Sequence, residues 1–528
     1  MKSVGANSRC YLVGGGIASL ACAASLIRDG GILGRKIRIF EESGLLGGSL
    51  DAQGSPERGY IMRGGRMLDL EAYTCTYDLL SFVPSLAGAG RTVKDEVFDF
   101  NRRIKTHARC RLAEKGRKLD VSSPGFRWRD RLDLIKLLFR SEDSLETCRI
   151  EDCFTPAFFR TNFWFLWCTT FAFQPWHSAA EFRRYLLRFL HEFPRIDTLS
   201  GVYRTPYNQY DSIVRPLVSW LRDEGVVFEM SCRVTALELK PVGGEATVER
   251  IRSTREGEPA GIPVTEDDRV FVTLGSITAD SRFGSMNSAP PSRPDEPGGS
   301  WSLWESLARE RPDLGRPSVF DGHTDLSRWL SFTVTFRDPT FFRLMVGFSG
   351  NEPGTGALVT FKDSSWLMSV ALAHQPHFLG QPADITVCWG YGLFPGNQGA
   401  FVPKPMSECT GAEILEELCR HLRFTQELPL ILETSTCIPC LMPYITSQFL
   451  PQRKGDRPRV VPDGSTNLAF LGQFCEIPDD VVFTVEYSVR SAQIAVYSLL
   501  HLDKSVSPIF RGYRDPRVLF DSLRTMLR

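Results

Sequence analysis

Residues 10–43 read CYLVGGGIASLACAASLIRDGGILGRKIRIFEES, and this stretch decides the fold. The apolar run Cys10 to Val13 suits a strand, three glycines follow, a helical pattern starts at Ile17, and KIRIFEES reads as a second strand. Gly14-Gly15-Gly16-Ile17-Ala18-Ser19 meets the dinucleotide fingerprint at two glycines. Ser19 stands at its third position, where a small residue lets helix pack on strand. Gly14 permits the tight turn. Gly16, without a side chain, lets the backbone approach a pyrophosphate at the helix N-terminus, where unpaired N–H groups point outward. Glu41, at the end of the second strand, stands where an acidic residue takes a ribose hydroxyl. The same apolar run follows Lys2 and Arg9 and so invites a signal-peptide reading, but successive glycines suit a folded turn better than a cleaved helix.

Outward from this unit, a mixed stretch runs to about residue 130, and apolar residues at helical spacing cover 179–193 and 212–222. Between 226 and 275 the pattern alternates in VVFEMSCRVTALEL, ATVERIRS and DRVFVTLGS, strands returning to the first unit. Residues 281–300, SRFGSMNSAPPSRPDEPGGS, read as an exposed loop and the main internal boundary. Beyond it come strands in SWLMSVALAH and ADITVCWGYGLF, a helix over 410–422, a buried strand in NLAFLGQ and a helix over 487–500. The expected division is a nucleotide-binding unit over 1–90, a largely helical substrate and cap region over 91–210, and returning strands over 211–280. A substrate-binding domain over 301–460 and a last return with a terminal helix over 461–528 complete it.

The chain has 528 residues, too long for one small module. Lys+Arg 62 against Asp+Glu 62 leaves no net charge, which speaks against a nucleic-acid surface and for neutral or lipid-like partners. Hydrophobic content of 42% allows a large core. Fourteen cysteines without a dense framework point to reduced thiols and a cytoplasmic location. FWFLWCTTFAF, 163–173, is far short of the roughly 20 apolar residues of a membrane span and reads as core or pocket wall.

Past Glu41, Leu46-Gly47-Gly48-Ser49-Leu50 adds the second glycine turn that flavin proteins often carry. The blocks IFEES, GGSLD, RGGR, TYDLLSFVPSL, TPYNQYDSIVRPL, KPMSECTGAEIL and MPYITSQFLPQRKGDRPRVVPDGSTNLAFLGQF resemble the oleate hydratases, fatty acid hydratases once called myosin-cross-reactive antigens. The resemblance runs from about residue 9 to 500. It implies an α/β flavoprotein with a Rossmann-like FAD-binding domain, an inserted substrate domain and a helical cap. The implied activity is a hydro-lyase adding water to the cis double bond of a long-chain unsaturated fatty acid such as oleate or linoleate, with FAD required and not consumed. Gly14, Gly16, Glu41, Gly48, Ser49, Gly65 and Arg66 would lie along FAD, Val234 would hold its adenine end, Thr273, Gly275 and Ser276 would flank the phosphates, and Gln473 and Phe474 would close the flavin site.

The family's proton donor, a tyrosine in the block TPYNQYDS, matches Tyr207, with Tyr210 second; two tyrosines spaced by three could instead hydrogen-bond at a helix start. The water-activating glutamate of the family follows RGGR, where this chain has Met67, and the spacing from RGGR to TYDLL is one residue longer, the mark of a divergent branch. Loss of a general base removes a factor of about 10² to 10⁴. Asp69 or Glu71 could replace it, or could be solvated loop carboxylates. Thr446, Ser447 and Gln448 stand where the family anchors the substrate carboxylate.

Competing signals are a CxxC at Cys437 and Cys440, read against a redox pair, and His374 and His377 in HQPH, read as surface histidines, so no metal is expected. No GxSxG elbow occurs. The rival functions are a redox flavoenzyme of amine-oxidase-like fold and a non-catalytic lipid-binding protein. Peripheral membrane contact is a further open partner class, and the assembly is a monomer or a homodimer.

Overall fold

The computed structural model of the chain describes residues 8–88, 90–240, 246–292, 298–356 and 358–528. Five parallel strands form its first layer, in the order Leu468–Leu471, Arg269–Thr273, Cys10–Val13, Ile37–Phe40 and Val227–Glu229. All four residues of Cys10–Val13 are buried, as a parallel strand covered on both faces requires. Helix Ile17–Arg28 crosses back over the sheet and packs on helix Val485–Leu499, so the C-terminal return closes the N-terminal unit. The expected strand, helix and strand over 10–42 are present. Three antiparallel strands, Cys232–Leu239, Val248–Arg255 and Glu258–Pro263, flank this layer.

The second layer is an eight-stranded mixed sheet centred on Trp329–Phe336, buried at every position between Ser435–Met442 and Thr386–Gly392. The hairpin Ala52–Ser55 and Gly59–Met62 ties the layers together, because the Tyr60 and Met62 N–H groups donate to Thr335 and Thr333 Oγ1 at 2.9 and 3.1 Å. The turn RGGR leaves this hairpin directly between the layers. Two expectations need correction. The polar stretch from 281 begins as an edge strand, Arg282–Phe283, paired with Ser435–Met442, and ends as the start of helix Gly299–Glu310; residues 293–297 lie outside the described ones. His374 and His377 are half-buried rather than surface residues; burial holds the His377 imidazole down at about 3.

Helix Asn162–Phe171 carries the aromatic run and starts at Thr161, whose Oγ1 accepts from the Trp164 N–H. Phe163, Trp164 and Trp167 enter the core, while Thr169 to Ala172 face a cavity, so the run serves as both core and wall. Helix Trp128–Phe139 exposes Trp128 (71%), Leu132 (43%), Ile135 (37%) and Phe139 (87%) on one face, and helix Pro516–Leu527 exposes Leu519, Phe520, Leu523 and Leu527. Arg131 Nη2 joins the two by donating to the Leu527 carbonyl at 3.3 Å. Among the described residues no helix is long and apolar enough to cross a membrane.

Candidate functional site

A cleft of about 350 Å³ opens at the ends of the parallel strands. Gly14, Gly16, Glu41, Gly48, Ser49, Val234, Thr273, Gly275, Ser276, Gln473 and Phe474 all line it, although they come from six separate segments. Gly14 has φ +93°, a conformation that favours glycine. A Cβ on Gly15 would stand 2.6 Å from Leu46 and 2.8 Å from a Glu41 carboxylate oxygen. Gly16 differs: a Cβ there would meet nothing nearer than Gly48 Cα at 3.9 Å, so the protein's own packing does not demand a glycine. The helix beginning at Ile17 has no side-chain cap and no acidic residue in its first turn, which leaves its N–H groups and dipole to an anion. Ser19 is not on the wall; its Oγ lies 3.1 Å from Thr273 Oγ1 and seals helix to strand. Glu41 accepts from the Gly15 and Ser43 N–H groups at 2.7 and 2.8 Å. Gln473 Oε1 is buried on the wall without a partner among the described residues. An open helix N-terminus, a side-chain-free approach at Gly16 and an orphaned acceptor together fit a dinucleotide.

The second space, about 110 Å³, lies behind RGGR and shares only Arg63 with the cleft wall. Arg63 is fixed by an ion pair with Asp51 and by donation to the Gly48 and Thr278 carbonyls at 2.9 and 3.0 Å. Gly65, Arg66, Met67 and Asp69 line this cavity with Phe171, Phe189, Trp329, Trp389 and Phe483. Burial lowers the Arg66 guanidinium to about 10; its Nε has no partner among the described residues, and it stands 5.2 Å from the centre of the Phe483 ring. The short pairing of Leu68–Asp69 with Val202–Tyr203 pins Met67 and Asp69 against the wall from Tyr185 to Val202.

Of the remaining expected residues, Glu71 is off the wall and its side chain is 40% exposed. Tyr207 and Tyr210 line neither space. Their segment nevertheless abuts the cavity floor, because Gln209 Nε2 donates to the Arg66 carbonyl at 3.2 Å. Tyr210 opens a π-helical turn, Tyr210–Val214, and burial raises its phenol. Thr446, Ser447 and Gln448 are fully buried next to the cavity-lining Ile445; Ser447 Oγ and Gln448 Oε1 have no partners among the described residues. Cys437 and Cys440 point to opposite sides of their strand and belong to separate core clusters, so the CxxC is no dithiol pair.

Residues that sequence reasoning missed are Tyr73, His191, Glu192 and Arg195. Of the phenols on the cavity wall, Tyr185 and Tyr391 donate to the Val482 and Thr169 carbonyls, leaving Tyr73 without a hydrogen bond to a described residue. Glu192 is on the wall, and His191 Nε2 bonds Asp69 Oδ2 at 2.9 Å. One carboxylate oxygen from each of Asp69, Glu71 and Glu192 and a ring nitrogen of His191 lie within 4.8 Å of one another, with the Arg195 guanidinium against Glu192 and Glu71. The helical spacing of 179–193 carried no sign of this cluster, since its partners are more than a hundred positions away.

The family model that matches is the MCRA family, over residues 7–497. An oleate hydratase from Streptococcus pyogenes serotype M49 (strain NZ131) is 40% identical, over 96% of this chain and 88% of that protein. A linoleate hydratase from Lactiplantibacillus plantarum is 34% identical over 98% of each. Among solved structures, a cyclohexylamine oxidase from Brevibacterium oxydans aligns with TM-score 0.53 and 13% identity over 94% of this chain and 99% of that one. An oxidoreductase from Methanosarcina mazei aligns with TM-score 0.50 and 10% identity over 93% and 100%. These two likenesses concern the fold, a Rossmann-like α/β architecture. With the family pattern matched over nearly its whole length, the chain belongs to the MCRA family.

Proposed function

We propose that the protein is a fatty acid hydratase that holds FAD in the cleft and adds water across the cis double bond of a long-chain unsaturated fatty acid, oleate or linoleate, in the apolar cavity. The observation that carries this reading is that a cleft lined by the glycine turns and an aromatic-walled cavity adjoin at one residue, Arg63, on the turn RGGR. The names of the two relatives support the substrate class. Gly14, Gly16, Gly48, Ser49, Thr273, Gly275 and Ser276 would hold the phosphates and their surroundings, Glu41 a ribose, Val234 the adenine, and Gln473 and Phe474 the flavin end, while Gly65 and Arg66, which line the cavity and not the cleft, would face the flavin from the substrate side. Bound FAD supplies a fixed surface and field beside the double bond and is not consumed.

An isolated alkene is a very weak base, so one carbon must receive a proton while water bonds to its neighbour. Tyr207 is the proposed donor; its segment is tied to the Arg66 backbone through Gln209. Met67 brings a thioether to the wall and cannot take a proton from water. Ser447 Oγ, a hydroxyl without a partner among the described residues, is the donor at a polar end behind Ile445 for the substrate carboxylate, with Thr446 and Gln448 beside it. A cavity of about 110 Å³ takes roughly a benzene-sized part of a ligand.

We place the protein in the cytoplasm, where its unpaired cysteines stay reduced, as a monomer or homodimer. The adjoining apolar faces of Trp128–Phe139 and Pro516–Leu527, flanked by Arg129, Lys136, Arg140, Arg517 and Arg524, support peripheral contact with an anionic lipid surface, from which the substrate would be drawn. Incubation of FAD-loaded protein with oleate and mass spectrometry tests the main reading: a product heavier by one water is expected. Anaerobic bleaching of the flavin by substrate would instead establish the redox rival, and unchanged oleate the binding-only one.

A further inference from the structure

We infer that Glu192 is the carboxylate that takes the proton of the attacking water, an inference that rests on the hydratase reading. Hydration needs an acceptor at the cavity wall, and among the described residues on that wall the carboxylates are Asp69 and Glu192. Asp69 is committed to holding the backbone. Its Oδ1 accepts from the Ala72 N–H at 2.6 Å and its Oδ2 bonds His191 Nε2 at 2.9 Å, so it closes the turn before helix Thr74–Leu80 and orients the imidazole.

Glu192 sits differently. It lies on the 3₁₀ turn Leu190–Arg195, is only 3% exposed, and is the acidic residue in an apolar wall formed by Phe189, Ile196, Leu199 and Val202. Its oxygens are gripped by Arg195, whose Nε and Nη2 donate at 3.0 and 2.5 Å. The Arg195 side chain is one-third exposed, so this partner can swing toward solvent while the carboxylate stays buried. Burial raises Glu192 above the usual carboxylate range, and the Asp69 charge adds to this against the lowering effects of Arg195 and His191. A carboxylate so placed is a better base than an exposed one.

In the step this assigns, the water oxygen bonds to one alkene carbon and one of its protons passes to Glu192. The other alkene carbon takes a proton from the phenol. The Glu192 proton then returns to the phenolate through solvent, and the balance is one water added. Asp69, His191 and Arg195 act as positioning residues around it.

The test uses the FAD-loaded full chain and oleate, reading kcat, KM and oleate affinity for wild type, Glu192→Gln, Glu192→Asp and Glu192→Gln combined with Met67→Glu. Glu192→Gln is expected to lower kcat at least about thirtyfold with oleate affinity within about twofold. Met67→Glu is expected to recover part of that loss, because it returns a carboxylate to the same cavity. Should Glu192→Gln fail to fold, Glu192→Asp, shorter by one methylene, carries the test through a fall in kcat at constant KM. The inference is overturned if Glu192→Gln turns over like wild type, or if kcat, affinity and melting temperature fall together without rescue by Met67→Glu. No product from wild type would overturn the hydratase reading itself; product from wild type and Glu192→Gln alike overturns this inference alone.

Discussion

The cleft at the strand ends takes its floor from one unbroken segment, Val13 to Ala18, and is shaped mainly by backbone: glycines, strand ends and a helix N-terminus. The cavity behind RGGR also rests on one unbroken segment, Arg63 to Asp69, but gathers the rest of its wall from across the chain. Its other walls come from Tyr73, 169–172, residues spaced along 185–202, Trp329, Leu358, Trp389, Tyr391, Ile445 and 483–485, and they consist mainly of large side chains. The difference teaches where each function is sensitive. A backbone site fails when a side chain is added, because N–H groups must touch the ligand. A side-chain cavity fails when one functional group is removed, because neighbouring walls survive.

Gly16→Val should give the largest effect. The new side chain would enter the space that only Gly48 Cα approaches, at 3.9 Å, and FAD affinity is expected to fall at least about 10³-fold, roughly 4 kcal/mol. Fluorescence titration reads it; full affinity in this variant would break the comparison on the cleft side. On the cavity side, Tyr207→Phe should lower kcat by roughly 10² while FAD and oleate affinities stay within about twofold. Tyr73→Phe, run beside it, is expected to cost less than about threefold. The reverse order in steady-state kinetics would move the proton donor from the Tyr207 segment to the cavity wall.

The two regions should also part under acid. Burial holds His177 and His377 at about 3, and both lie in the substrate half, away from the cleft wall. Each is neutral in the fold and, once unfolded, protonates near pH 6.5. Stability is therefore lost as pH falls from about 6.5 towards 3, by up to ~1.4 kcal/mol per pH unit for each histidine. Urea melts at pH 7.5 and 5 should show a shallower loss in His377→Gln; a slope equal to wild type would sink this assignment. The smallest effect is expected at the carboxylates after RGGR. Asp69→Asn, which disturbs both its Ala72 and His191 bonds, should lower kcat about tenfold, whereas the exposed Glu71→Gln should change it less than about twofold. Equal effects would mean that burial does not separate these two groups.

Legibility followed the same division. The glycine turn, Glu41 and the strand patterns predicted the parallel layer closely, and every expected cleft residue except Ser19, Gly65 and Arg66 is found on the cleft wall. Ser19 packs against Thr273 as its small size implied, while Gly65 and Arg66 face the other space. The cavity was legible only in parts. The aromatic run was read as core or wall and serves as both; Asp69 and Glu71, two residues apart, could not be told apart until the pairing of Leu68–Asp69 with Val202–Tyr203 turned one inward.

What the sequence by itself determined is whatever depends on neighbours in the chain. The strand, the Gly14 turn and the helix start are set within about ten residues, because backbone conformation and strand or helix periodicity are local properties. The family blocks carried the expected chemistry the same way. Only the tertiary structure decided which acids face the cavity. His191 and Asp69 are separated by 122 positions, and Glu192 becomes a buried wall residue because strand pairing and aromatic packing exclude water around it. Burial, and the shifted basicity that comes with it, is a property of the packed whole that no short window of sequence contains.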